Sequence, residues 1–253
     1  MRILQRNEWS DFYNGYPTQT YGTSTSQIRI TTGGSAHVFN AIFQNLSPSS
    51  DGGAIYSYDV SLLFLSESNT FLNCTPSGNG GAIYLYITGE SILYKVCGFG
   101  CVTINGHAQF DLIRISNDVT KRNEVNYTSV CHSIQQKDYN CIIYHNYGKM
   151  KFNSVNVSQN ECYSYCGICC EFQSVKSSCV IEYCTLTNNT MRNYICIGLY
   201  STSFENQIRF CNILNNKQLS TSTTRGLIYS ETVVTIESSC ILGNTANYQV
   251  YGS

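Results

Sequence analysis

Apolar and polar residues alternate along this chain in short runs. Ile28-Arg-Ile30, Leu62-Leu-Phe64, Ile92-Leu-Tyr94, Ile208-Arg-Phe210 and Val234-Thr-Ile236 are β-branched or aromatic, and Gly, Asn, Ser or Thr bounds them. Ala54-Ile-Tyr56, Ala82-Ile-Tyr84, Ile142-Ile-Tyr144 and Leu227-Ile-Tyr229 form a second set of the same character. These runs predict short strands, because branched and aromatic side chains suit a pleated, half-buried surface. No segment sustains a 3.6-residue apolar period, so the chain is expected to be all-β.

The runs also recur. Phe43-Gln-Asn45 through Gly52-Gly-Ala-Ile-Tyr56 is echoed 28 residues later by Phe71-Leu-Asn73 through Gly80-Gly-Ala-Ile-Tyr84. A unit x-x-Φ-x-Asn, with Φ apolar, ends at Asn45, Asn73, Asn188, Asn215 and Asn244. The Φ residues Phe43, Phe71, Phe99, Val157, Leu186, Ile213 and Leu242 keep a period near 28, with one double step whose missing turn falls near Cys131-His132. His132 takes the place of the missing Asn there. A unit of this length cannot bury its own apolar face and must stack on its neighbours. The expected fold is a right-handed parallel β-helix of about eight turns over residues 24–253, with residues 1–23 as an irregular cap over the first strand edge. A leucine-rich repeat would need a helical half, and a propeller would need a longer period.

Stacking turns each repeated position into a column. Ile55, Ile83, Ile143 and Ile228 are assigned inward, which places Tyr56, Tyr84, Tyr144 and Tyr229 on an outer face as candidate binding residues. The closing asparagines are read as structural, because Asn tolerates a left-handed corner and can ladder its amide to those above and below. A glycan would not fit at the sequons Asn45, Asn73 and Asn188 if these corner side chains point inward, so the sequons support secretion only weakly; two further sequons begin at Asn126 and Asn156. Cys184, Cys211 and Cys240 are expected to form an interior column at about 4.8 Å spacing, either as buried thiols or as cross-turn disulfides.

Charged residues are only 12% of the chain and the net charge is −1. That balance argues against a nucleic-acid partner and against attraction to anionic lipid. No apolar run is long enough to span a bilayer, so membrane insertion by this chain is not expected. The first residues lack the apolar core of a secretion signal, and the last turn has no cap, so the chain reads as an intracellular product or as a piece of a longer one. Fourteen cysteines suit an oxidising compartment. Cys162-x3-Cys166-x2-Cys169-Cys170 has no partner motif with which to build a structural zinc site, and neither metal nor cofactor is expected.

The paired Phe-x-Asn and Gly-Gly-Ala-Ile elements resemble the repeat of the polymorphic membrane protein family, with its GGAI and FxxN motifs. The Cys- and Tyr-rich variant is closest to members found in parasitic protists. The resemblance is specific over residues 41–86 and positional beyond them. It implies a surface-exposed or extracellular β-helix with adhesive or antigenic roles; with the tyrosine face, the expected function is a non-enzymatic scaffold that contacts a host or self surface protein or a glycan. The alternatives are a carbohydrate-active β-helix enzyme, such as a polysaccharide lyase or hydrolase, and a fragment without an independent role. An enzyme needs converging carboxylates, and Asp111 and Asp118 with Arg114 and Lys121 are the best available cluster.

Overall fold

The computed structural model describes residues 9–134, 141–163, 165–171, 178–192, 195–200, 206–219 and 226–252. Within these, the alternating runs are strands that pair in parallel with their equivalents one period on. Ile28 lies beside Ile55, and Ile55 beside Ile83. Three long sheets result. The first has nine strands, from Ile28–Ile30 to Val250–Gly252; the second has nine, from Gln19–Tyr21 to Val234–Glu237; the third has eight, from Ile42–Gln44 to Cys240–Leu242. The chain visits first, second and third sheet in order on every circuit. The fold is an all-β parallel β-solenoid of about seven turns of ~28 residues. Eight turns were expected, and the difference is one of counting: eight rungs are joined by seven steps. Trp9–Phe12 is the only helix among the described residues.

Two corners of each rung are made by one residue apiece. Asn40, Ser68, Lys95, Tyr127, Ser154, Tyr183, Phe210 and Ser238 leave the second sheet, with φ between 46° and 56°. Asn45, Asn73, Gly100, His132, Gln159, Asn188, Asn215 and Gly243 leave the third, with φ between 52° and 69°. A left-handed residue redirects the strand without a hairpin, and Asn or Gly adopts it at least steric expense. The four asparagines expected here, Asn45, Asn73, Asn188 and Asn215, do stand at the corner. Their side chains, however, are exposed. The αL backbone turns its own side chain to solvent and the next one into the coil.

Asn244 is therefore reassigned. Gly243 holds the corner in the last rung, and Asn244 belongs to the inward column one residue later. That column carries the amide ladder. The Oδ1 atoms of Asn160, Asn189, Asn216 and Asn244 accept the backbone N–H of Ser133, Asn160, Asn189 and Asn216 at 2.9, 3.1, 3.0 and 2.8 Å. Cys240 is corrected in the same way: it pairs with Asn212 in the third sheet and is exposed. Ser239 is the true column mate of the buried Cys184 and Cys211, and its Oγ accepts the Cys211 N–H at 3.1 Å.

The Φ column fills the coil, but not with every residue expected. Phe43 and Phe71 stack at 5.0 Å. Gly98, not Phe99, is in register with Phe71, because the Phe110 ring occupies the space; a Cβ on Gly98 would stand 2.4 Å from it. Phe99 points outward. The paired glycines have separate duties. Gly52 and Gly80 turn with φ of 66° and 65°, while a Cβ on Gly53 or Gly81 would stand 2.1 or 1.7 Å from a carbonyl oxygen of the next rung.

Residues before 24 do more than cap an end. Gln19–Tyr21 extends the second sheet, Gln19 lying beside Ala36. Trp9 and Tyr13 pack on Leu65 and Ile92 of the same sheet, and the Arg122 guanidinium lies 4.8 Å over the Tyr13 ring.

Candidate functional site

The inward and outward assignments of the first sheet follow from strand alternation. Ile55, Ile83, Ile143 and Ile228 are fully buried in the coil. The tyrosines alternate with them onto the outer face, but they do not make one continuous column. Tyr56 and Tyr84 stack at 5.7 Å with an interplanar angle of 12°. Leu112 then separates Tyr84 from Tyr144. Cys169 and Gly198 separate Tyr144 from Tyr229, which stacks instead on Tyr251 at 6.1 Å. Tyr84 and Tyr229 are almost covered, whereas Tyr56 and Tyr144 are half-buried.

The interruption at Leu112 is what creates a site. A side chain shorter than its tyrosine neighbours leaves a groove of about 360 Å³, walled by Tyr84, Tyr86 and Tyr144 and edged by Asn79, His107 and Asn146. Arg114 enters it from the next outward column. Its guanidinium lies 4.8 Å over the Tyr86 ring and 5.0 Å over that of Tyr147, and it donates to the Tyr147 hydroxyl at 3.3 Å. A cation held between two aromatic faces is pre-oriented. At the far wall the Tyr144 hydroxyl donates to Glu171. Burial pushes the Glu171 carboxyl up, Arg114 opposes the shift, and Glu231 adds to it. Burial, reinforced by Asp51, raises the Tyr84 phenol to about 12, so it stays a hydrogen-bond donor at neutral pH. The groove thus offers aromatic faces, one cation and several neutral polar groups. It is equipped to hold a ligand by stacking and hydrogen bonding.

The carboxylate cluster singled out in the sequence is dispersed. Asp111 and Arg114 are three apart on one strand, so they face opposite sides of the sheet. Asp118 accepts from the backbone and hydroxyl of Thr120 at 2.9 and 2.7 Å, which holds its carboxyl below the usual range. Among the described residues, no three His, Cys, Asp or Glu side chains converge to hold a metal ion. The Cys166 side chain lies outside the described residues.

Sequence reasoning missed where Asp111 goes. It replaces isoleucine in the inward column, between Ile83 and Ile143, and lies wholly inside the coil. His145, also wholly buried, brings Nε2 to 3.5 Å from its carboxylate. Burial raises the Asp111 carboxyl, with the histidine pulling the other way. The clue available was the break in an otherwise aliphatic column. A second pair, His37 and Glu67, meets at 2.7 Å beneath Trp9.

Compared with family models, curated proteins and solved structures, the chain matches none. No helix among the described residues is long and apolar enough to cross a membrane.

Proposed function

We propose that this chain is a non-enzymatic, surface or adhesion-type β-helix scaffold, whose outer groove at Tyr84, Tyr144 and Arg114 contacts a glycan or a partner protein. One observation carries the reading: a preformed groove lies where the outward tyrosine column is broken, with a guanidinium held between two rings. Stacking faces flanked by neutral donors suit sugar rings or an aromatic-rich protein surface. The resemblance of the Gly-Gly-Ala-Ile repeat to the polymorphic membrane protein family, in its protist-type members and with their right-handed coil, supports display at a cell surface. The separation of Asp111 from Arg114 and Asp118 speaks against a polysaccharide-cleaving site built on that cluster.

A glycan array and a binding screen on intact cells, both with the purified chain, test this. Tyr144→Ala is expected to weaken any retained ligand about tenfold, equivalent to ~1.4 kcal/mol. Labelling of intact cells that finds the chain only inside them would overturn surface display. Shortening of a polysaccharide on incubation would overturn the non-enzymatic reading.

A further inference from the structure

Six of the cysteines inside this coil stand in three facing pairs. Cys74 and Cys101 follow the third-sheet corner in successive rungs, each immediately after an αL residue, Asn73 and Gly100. Cys184 and Cys211 follow the second-sheet corner in the same way, after Tyr183 and Phe210. The parallel ladder runs unbroken through both places: the Val102 N–H donates to the Cys74 carbonyl at 3.0 Å, and the Asn212 N–H donates to that of Cys184 at 2.8 Å. In-register neighbours on parallel strands stand about 4.8 Å apart, inside the roughly 4.4–6.8 Å a disulfide needs between Cα atoms. All four thiols are turned into the coil, where Cys74 and Cys101 donate to the Leu72 and Phe99 carbonyls at 3.8 and 3.7 Å, and Cys184 and Cys211 to those of Phe152 and Ile181 at 3.5 Å each. A third pair lies across one rung. Cys170 is the last residue but one in a strand of the first sheet, Tyr165–Glu171, and Cys179 begins one of the second, both fully buried, with sulfur atoms 3.1 Å apart.

We propose that these six cysteines form three intrachain disulfides, Cys74–Cys101, Cys170–Cys179 and Cys184–Cys211, that staple the coil from within. The first and last tie successive rungs, and the middle one ties two sheets. The donor is a protein disulfide or a small disulfide such as oxidised glutathione. One cysteine thiolate attacks the donor, forming a mixed disulfide and releasing the donor's first thiol. The facing thiolate then attacks the mixed disulfide and releases the second. Each staple thus gives up two protons and two electrons, and the donor becomes two thiols. Because all six sulfurs lie inside the coil, exchange takes place before the rungs close over them, and the finished bonds are shielded from reductant. Cys97 and Cys240, on the outer faces, take no part. The staples lie in the interior alone and stand or fall independently of the groove.

The test uses the full chain, folded in a glutathione redox buffer, then denatured without reductant in excess N-ethylmaleimide and digested. The expected result is three cross-linked peptide pairs joining 74 to 101, 170 to 179 and 184 to 211, with Cys97 and Cys240 alkylated. Alkylation of all six, or linkage to other partners, overturns the proposal. Reduction is also expected to lower the thermal midpoint of the wild-type chain, and to lower it less in the double variant Cys184→Ser/Cys211→Ser. The peptide map is made on the wild-type chain, so it decides the matter even where that variant fails to fold.

Discussion

The early rungs and the late rungs solve one problem in two ways. After the third-sheet corner the chain must place an inward side chain, and in the first three rungs it is Leu46, Cys74 or Cys101. These fill space beside the stacked rings of Phe43 and Phe71 and the edge-on ring of Phe110. From the fifth rung the same position is Asn160, Asn189, Asn216 and Asn244. Each ladder amide donates to a carbonyl, of Val130, Val157, Leu186 and Ile213, at 3.2, 2.9, 2.8 and 2.6 Å. Successive amides also bond to each other at 3.0 Å. The early half is held by shape, and the late half by satisfied polar groups. Corner geometry is common to both, so the repeat fixes the backbone and leaves the means of filling it open.

The sharpest way to break the early half is through shape. Gly81→Ala is expected to lose roughly 4 kcal/mol, since its Cβ would collide with the Gln109 carbonyl at 1.7 Å and backbone rather than side chain must yield; urea unfolding measures it. The late half should break through polarity. Asn189→Leu keeps the volume but orphans the Asn160 N–H and the Val157 carbonyl, at about 3 kcal/mol. With the chain fully reduced throughout, a smaller loss than that of Cys101→Ala, expected near 1 kcal/mol, would erase the distinction between the halves.

At their junction the buried Asp111 and His145 belong to neither solution. Asp111→Ile with His145→Leu restores the aliphatic columns and should stabilise by about 2 kcal/mol at neutral pH. The sign with pH follows from the raised Asp111 carboxyl. Its contribution to wild-type stability is complete below the unfolded carboxylate value near 4 and is lost as pH rises through the higher folded value. The advantage of the double variant should therefore widen upward from about pH 4, read by thermal melts across pH; an advantage that narrows would sink this account. The smallest effect is expected at the outward corner: Asn188→Gly should change stability by only a few tenths of a kcal/mol, since Gly100 and Gly243 hold the same turn elsewhere.

The period was legible because stacking demands it, and strands, inward isoleucines and outward tyrosines followed directly. The phase was harder to read. Asn188-Asn189 and Asn215-Asn216 are doublets in which the first residue turns the corner and the second joins the ladder. The last rung keeps only the ladder member, so Asn244 aligns with Asn216 rather than with Asn215, and Cys240 moves with it by one. The condition for excluding a glycan is likewise not met: Asn45, Asn73 and Asn188 are corner residues with exposed side chains. The groove was only half visible. Its tyrosines could be named, but Leu112 reveals a gap only when its neighbours in the column are known.

The single-residue corners have a mechanical consequence. With no hairpin locking one rung to the next, the bonds between rungs run along the long axis, so tension on that axis loads them end-on. The coil should peel one rung at a time, each paying out up to about 90–100 Å of chain at full extension. A staple across two rungs would merge their release, and the sawtooth of a single-molecule pulling trace would count the coil from end to end.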